Sequence, residues 1–206
     1  MNAFIEWLKE KELNEMAPVA VMGDWDATRF KDVSYKRKFE IEKNWTFEGD
    51  FDSKKNKFKI YSKDNLYIIG VWGKESDKES FFIISRVQLM RRKDIQDNTS
   101  HKKCFQVKKI YTDEDFRGEG ITMLFYKWFI FKGYSLVSDG TQYDGPRIIY
   151  SKISKDIKFK ADVYDSHEHK IIKKDVEIDH GEFWDFDTDL YSHDYSKAHI
   201  LIILYK

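Results

Sequence analysis

The chain has 206 residues, and its 36 Lys and Arg residues balance 36 Asp and Glu residues to a formal net charge of +0. With 41% hydrophobic and 17% aromatic residues, it can bury enough apolar surface to offset the entropy of ordering, which excludes wholesale disorder. The neutral charge does not indicate a nucleic-acid partner, because binding by charge alone needs an excess of Lys and Arg. A local basic patch would still allow one. The single cysteine, Cys104, excludes an internal disulfide and a cysteine-rich zinc site.

No stretch reaches the roughly 18–20 uninterrupted apolar residues that a membrane helix needs. The N-terminal sequence carries acids and bases within its apolar pattern, unlike the apolar core of a signal peptide. We therefore expect a cytoplasmic protein with no membrane partner. The length predicts a single domain over residues 1–206, divided into four segments: 1–36, 37–103, 104–153 and 154–206.

Residues 1–36 are predicted to form an N-terminal helix and a loop. Apolar side chains recur near helical spacing over Ala3–Met16, with charged residues between them. The stretch from Pro18 to Lys36 is rich in turn-forming residues, which favours an irregular conformation.

Residues 37–103 are predicted to form an antiparallel meander. Apolar and polar residues alternate with period two at Phe39 and Ile41, at Trp45 and Phe47, and at Phe58 and Ile60, as in half-buried strands. Hairpin turns are predicted at Gly49-Asp50 and Ser62–Asn65. The apolar runs Leu66–Trp72 and Phe81–Leu89 predict central strands that are covered on both faces.

Residues 104–153 are predicted to fold as strand, glycine loop, helix, strand and helix, with two neighbouring parallel strands. The first helix is expected at Ile121–Phe131 and to end at Gly133. The next strand is expected at Ser135–Val137, and the second helix begins near Asp144, which can cap it. Residues 154–206 contribute the C-terminal strands, which are expected at Lys158–Tyr164, Lys170–Ile178 and Ala198–Tyr205.

The most informative motif is Arg117-Gly118-Glu119-Gly120-Ile121-Thr122, between a predicted strand and a predicted helix. Glycines let the backbone approach a ligand closely, and the helix N-terminus adds the positive end of its dipole, so the loop suits a pyrophosphate. Its spacing fits neither the dinucleotide fingerprint nor a P-loop. An ordinary strand-to-helix turn that carries two glycines is the alternative.

This motif resembles the acyl-CoA pyrophosphate signature of the GNAT N-acetyltransferases. The signature is matched at Arg117 and Gly120, and its last Gly or Ala is Thr122 here. The resemblance implies an α/β fold of the α+β kind, with a largely antiparallel sheet and a splayed central parallel strand pair flanked by helices. It also implies an acetyltransferase that uses acetyl-CoA as co-substrate, and an acceptor amine that attacks the thioester directly. The implied cofactor-binding residues are Ile110, Tyr111, Thr112, Arg117, Gly118, Glu119, Gly120, Ile121 and Thr122.

Two residues are candidates for catalysis. The resemblance continues through Tyr150-Ser151-Lys152, which implies that Tyr150 lies near the thiol and protonates the departing thiolate. Packing at the core edge is the alternative role for this tyrosine. Asp139 follows a predicted parallel strand, where α/β proteins gather ligands, so it is the candidate general base. A turn or capping role is its alternative.

Metal sites are not predicted. His167 and His169 would share one face of a strand, but a polar turn explains this segment more simply. Asp185, Asp187 and Asp189 imitate a calcium loop without its Gly and its closing Glu.

Another class of function stays open, namely a GNAT-like protein that binds a host or nucleic-acid partner without acetylating it. A phage enzyme that modifies a nucleobase is a related alternative. The excess of Lys over Arg and the few prolines resemble the amino-acid usage of proteins encoded by AT-rich genomes. This is compatible with a phage-encoded member in the host cytoplasm.

Overall fold

A computed structural model of the chain describes residues 35–53, 56–75, 77–139, 144–178 and 199–206. These residues form a mixed α+β structure with a mostly antiparallel sheet, which confirms the predicted fold class at that level. Four α-helices lie in the described ranges: α1 Lys38–Asn44, α2 Lys93–Asn98, α3 Ile121–Phe131 and α4 Asp144–Ser154. None of them is long and apolar enough to span a bilayer.

The same ranges contain ten strands. They are β1 Tyr35–Arg37, β2 Thr46–Asp52, β3 Lys57–Lys63, β4 Leu66–Glu75, β5 Lys78–Arg91, β6 Cys104–Thr112, β7 Ser135–Val137, β8 Lys160–Asp165, β9 Lys170–Lys173 and β10 Ile200–Tyr205. The predicted helix at 3–16 and the acidic motif at 185–189 lie outside the described residues.

The described residues divide into two compact units. Unit 1 is formed by those within 1–88 and 109–124, and unit 2 by those within 89–108 and 125–206. The chain passes from one unit to the other within β5, β6 and α3. This division follows neither the single domain nor its four segments, and the single-domain assignment stays a prediction.

Unit 1 contains most of the predicted antiparallel meander. Strands β2, β3, β4 and β5 pair in sequence order and antiparallel, and β1 adds to β5. The turn at Asp64-Asn65 is confirmed, with Asp64 in the left-handed region (φ 55°). The buried residues of one core cluster come from α1, β4 and β5: Ile41, Ile68, Phe81 and Ile83.

Three predictions in this part of the chain were wrong. Phe39 and Ile41 lie in helix α1, where the Arg37 N–H donates to the Glu40 carboxylate (3.1 Å) and only Ile41 is buried. Gly49 and Asp50 lie within β2 at a bulge, because the register shifts between Phe47 and Gly49. The end of the predicted loop pairs with β5 as strand β1.

Unit 2 contains the predicted parallel pair. Residues Cys104–Gln106 of β6 align with Ser135–Val137 of β7. Strand β10 pairs antiparallel with both β7 and β8, and β9 adds to β8. The predicted bounds of α3 and β7 are confirmed, and Gly133 (φ 86°) ends α3 with its N–H donating to Ile130 O (2.9 Å).

The predictions for unit 2 missed one helix and lengthened one strand. Helix α2 was not predicted, and it buries only Ile95, which packs with Cys104 and Val137 in the core. Strand β9 ends at Lys173 instead of reaching Ile178, and Asp175 adopts a left-handed conformation (φ 49°) soon after it. An apolar pattern alone does not reveal such a backbone reversal.

Candidate functional site

The glycine loop of unit 1 lies between β6 and the N-terminus of α3. A short 3-10 helix, Glu114–Phe116, follows β6, and then Gly118 (φ 85°) and Gly120 (φ 73°) both take left-handed conformations before α3 begins at Ile121. The first hydrogen bond of α3 runs from Leu124 N–H to Gly120 O (2.9 Å). The N–H groups of the turn before it have no acceptor within the helix, and the helix dipole makes this end positive.

Aromatic packing and hydrogen bonds hold the residues that precede the two glycines. Phe116 is buried and packs edge-on against Phe58, with ring centroids 6.4 Å apart. The Asp113 N–H donates to Ile84 O (2.8 Å), and its carboxylate accepts from the Asp115 N–H (3.1 Å). Burial raises the pKa of Asp113. These contacts hold the residues that lead into the two glycines.

The predicted cofactor residues of β6 differ in how their backbones are used. The Ser85 hydroxyl donates to Tyr111 O (2.8 Å), so the Thr112 hydroxyl, 3.1 Å away, donates to the Ser85 oxygen. Backbone polar groups of successive strand residues point to opposite edges. The backbone of Tyr111 therefore faces Ser85, whereas the backbones of Ile110 and Thr112 face the other edge of β6.

The remaining predicted loop residues surround the glycines. The Arg117 guanidinium lies against the loop, with Nε 3.4 Å from Thr112 O and Nη2 3.6 Å from Glu114 Oε1. The Glu119 N–H donates to Phe116 O (3.3 Å). Ile121 is buried, and Thr122 is half-buried. The Arg117 cation is thus already on the loop.

In unit 2, Asp139 follows β7 and is exposed. The Gln106 side-chain amide donates from Nε2 to Asp139 Oδ1 (3.1 Å) and to Ser138 O (3.2 Å). Ser138 is itself held by β10, because its hydroxyl accepts from the Ile202 N–H (2.8 Å). The carboxylate thus has both solvent access and a fixed oxygen, which a proton acceptor needs.

Tyr150 lies on α4 and is almost fully buried, at 2% exposure. Its ring is 6.0 Å from that of Tyr126, edge to face. Burial raises the pKa of Tyr150 well above its usual value, and the nearby Tyr126 and Asp139 raise it further. The two predicted catalytic residues are therefore within electrostatic range of each other. The phenol stays protonated at neutral pH, but it is a weaker acid than a free tyrosine.

The sequence predictions missed Gln106 and its partner Arg92. The guanidinium of Arg92 donates to Gln106 Oε1 (3.2 Å) and forms an ion pair with Asp94 (2.5 Å). One signal was present: Gln106 occupies an inward position of β6, two residues after the buried Cys104. A polar residue at such a position requires partners.

A second polar cluster in unit 2 is buried and was also missed. His101 Nε2 lies 2.9 Å from Asp162 Oδ2, and both side chains are almost fully buried. The Tyr205 hydroxyl lies 3.0 Å from Asp162 Oδ1, and the Asp175 N–H donates to the same oxygen (3.0 Å). Every oxygen of this carboxyl group therefore has a hydrogen-bond partner, as buried polar groups require.

The other residues considered from the sequence, Cys104 and His167, make contacts that are structural. Burial raises the pKa of Cys104 to about 11, so its thiol is not activated. His167 and Glu168 lie in a turn in which the Asp165 carboxylate accepts from both their N–H groups (2.9 and 3.0 Å). Among the described residues, no three His, Cys, Asp or Glu side chains are placed to share a metal ion.

Comparison of the chain with protein-family models, with curated proteins and with solved structures gave no match. No relative therefore assigns a ligand to the glycine loop or a role to Asp139 and Tyr150.

Proposed function

We propose that the chain is an acyltransferase of the GNAT type, which moves an acetyl group from acetyl-CoA to an amine. The observation that carries the proposal is the glycine loop, where two left-handed glycines directly precede the N-terminus of α3. Left-handed backbone is costly for residues other than glycine, so this loop has a specific backbone requirement. An anion bound by amides at a helix N-terminus is its simplest use.

The proposed position of acetyl-CoA follows from the polar groups of the loop and of β6. Its pyrophosphate would accept hydrogen bonds from the amides of Gly118, Gly120, Ile121 and Thr122, since the Glu119 N–H already donates to Phe116 O. The Arg117 cation would add attraction. Its pantetheine arm would hydrogen-bond the backbone of Ile110 and Thr112. Tyr111 would contribute its side chain and not its backbone, because its backbone faces Ser85, whose hydroxyl donates to the Tyr111 carbonyl.

The length of β6 beyond its parallel pairing also supports the proposal. In the described part of the chain, β7 ends at Val137, level with Gln106, while β6 continues to Thr112. The resemblance implies a splayed parallel pair in which the first strand offers backbone groups to the cofactor. A strand that outruns its parallel neighbour has such groups to offer.

The proposed reaction needs no covalent enzyme intermediate. The neutral amine attacks the thioester carbonyl, and the C–N bond forms as the nitrogen loses a proton to Asp139, directly or through water. The tetrahedral intermediate then expels the coenzyme A thiolate. Tyr150 or water supplies the proton that converts this thiolate to the thiol.

Calorimetric titration with acetyl-CoA tests the cofactor. We expect binding to the parental chain and its loss in Gly120→Asp, because a carboxylate at the loop repels the pyrophosphate. Gly133→Asp is the matched control: Gly133 has a similar left-handed φ of 86° and nothing within 4 Å of an added Cβ. A flat titration with folded parental protein would remove the cofactor from the proposal.

Incubation with radiolabelled acetyl-CoA and cell lysate tests the reaction and its acceptor class. We expect label in protein or in a small amine. Label in nucleic acid would favour the nucleobase-modifying alternative. Binding of acetyl-CoA without label in any fraction would favour a binding protein that no longer acetylates.

A further inference from the structure

We propose that Gln106 is the positioning residue for the Asp139 carboxylate, and that Arg92 holds Gln106 in the orientation this task needs. The proposal rests on the proposed function, because it assumes that Asp139 accepts the proton of the acceptor amine. It adds a residue that neither the loop motif nor the candidate catalytic pair contains.

The geometry is a chain of hydrogen bonds that lies entirely within unit 2. Asp94 pairs with the Arg92 guanidinium, which donates from Nη1 to Gln106 Oε1 (3.2 Å). The other end of the Gln106 amide donates to Asp139 Oδ1 (3.1 Å). Helix α2 and strand β6 are thereby connected to Asp139, two residues after the end of β7.

The chemistry of the partners fixes the orientation of the amide. The Arg92 guanidinium offers only donors, so it must face the carbonyl oxygen of Gln106. Ser138 O and the Asp139 carboxylate offer only acceptors, so they face the NH₂ group of Gln106. A flipped amide would oppose donor to donor and acceptor to acceptor. The Arg92 charge also polarises the amide, which strengthens its donation to Asp139.

Burial supports a dedicated role for this glutamine. Gln106 is 4% exposed, while Asp139 is exposed. A buried amide loses side-chain entropy and contact with water, so it is a rigid support. An exposed carboxylate without such a support would sample several rotamers, and a proton acceptor displaced by about 1 Å can cost on the order of 100-fold in rate.

Two substitutions separate positioning from packing. Gln106→Met keeps the approximate volume and removes both hydrogen bonds. Gln106→Glu keeps an acceptor for Arg92 and removes the donor to Asp139. Gln96→Met is the matched control, since Gln96 Oε1 accepts from the neighbouring Arg91 (3.0 Å) and has no part in the proposed site.

The experiment measures the release of coenzyme A thiol, with the acceptor class found by labelling, alongside acetyl-CoA affinity and thermal unfolding. We expect both Gln106 variants to lower kcat about 10- to 100-fold, while the calorimetric acetyl-CoA affinity and the control stay at parental values. Gln106→Met should cost no further activity in an Asp139→Asn background, because residues that act as a unit are not additive.

Each outcome decides the proposal. Parental kcat in Gln106→Glu, or an equal loss from Gln106→Met with and without Asp139, would overturn it. If Gln106→Met unfolds, Gln106→Glu still decides, since it retains the contact with Arg92. A parental chain that binds no acetyl-CoA and releases no thiol would overturn the proposed function together with this inference. A parental chain that is active beside active variants overturns this inference alone.

Discussion

The chain presents different groups after β6 and after β7, although the two strand ends are held in a similar way. Each end is fixed by a buried serine hydroxyl: Ser85 donates to Tyr111 O at the end of β6, and Ser138 accepts from Ile202 N–H after β7. Beyond β6 the chain continues into a loop with left-handed glycines at 118 and 120. Beyond β7 it presents the exposed Asp139 carboxylate, to which the Gln106 amide donates (3.1 Å).

The difference explains why one end was easier to find in the sequence. A backbone site constrains residue types locally, because left-handed φ favours glycine over any other residue. A side-chain site depends on partners that are distant in sequence, such as Gln106 and Asp139, 33 residues apart. The two ends should therefore respond differently to substitution.

The largest effect is expected from Asp139→Asn, which keeps the shape of the side chain and removes its basicity. We expect kcat to fall about 10²- to 10⁴-fold, as for loss of a positioned base. The acetyl-CoA affinity should not change, because the carboxylate would act on the amine. Steady-state rates and calorimetry measure the two quantities, and parental kcat would assign Asp139 to a turn role.

The next effect concerns backbone conformation. Gly120→Ala and Gly133→Ala should each lower the free energy of unfolding by about 1–2 kcal/mol, because both glycines have left-handed φ. Only Gly120→Ala should weaken acetyl-CoA binding, since Gly133 lies at the end of α3. Urea unfolding and calorimetry measure the two effects. Equal affinity in both variants would make the loop an ordinary turn.

A smaller effect distinguishes the two serines. Ser138→Ala removes the acceptor of a buried Ile202 N–H, which should cost about 1–3 kcal/mol in unfolding free energy. Ser85→Ala removes a donor to the carbonyl of Tyr111 and an acceptor of the Thr112 hydroxyl, both in half-buried residues, so about 0.5–1.5 kcal/mol is expected. Urea unfolding midpoints measure the two losses of stability. A larger loss for Ser85→Ala than for Ser138→Ala would show that the end of β6 is the more tightly fixed.

The smallest effects are opposite in sign at two aspartates. The Arg92 hydrogen bond holds the pKa of Asp94 below its ordinary 3.8. Its contribution to stability is therefore present above pH 3.8 and is lost as the pH falls through the lower folded value. Burial raises the pKa of Asp113 above 3.8. Its ionisation therefore lowers stability as the pH rises from 3.8 through the raised folded value.

Substitution of these aspartates tests the signs. At pH 7, Asp94→Asn should destabilise the fold, by less than about 1 kcal/mol since the pair is partly exposed. Asp113→Asn should stabilise the fold and keep the acceptor for the Asp115 N–H. Both differences should shrink in urea titrations near about pH 2.5, where carboxylates become protonated. The same sign at both positions would contradict the prediction.

The fold was predictable where local and periodic signals agree. The meander from β2 to β5, the bounds of α3 and β7, and the left-handed Gly133 all follow from alternation, apolar runs and glycine position. The prediction failed at α1, because only Ile41 of that short helix is buried and seven residues give little periodicity. It failed at Gly49, because a glycine at a bulge and one at a turn have the same sequence signal.

The candidate site was predictable only in part. The glycine loop and the general location of Asp139 follow from sequence order. The burial of Tyr150 beside Tyr126 does not, since it depends on how α4 packs. Gln106 and Arg92 could not be paired with Asp139 from sequence, because the register Gln106 to Val137 is set by strand pairing. Side-chain networks of this kind depend on tertiary geometry.

The position of β10 between β7 and β8 has a consequence for how unit 2 is assembled. This strand pairs with Val137 and with Asp162, roughly 65 and 40 residues earlier in the chain. During synthesis the facing edges of β7 and β8 would remain unpaired until residues 200–205 emerge. Contacts so distant in sequence form late and slowly, and open apolar edges invite pairing with other chains. Folding yield at high expression rate should therefore depend on how quickly this one strand is delivered.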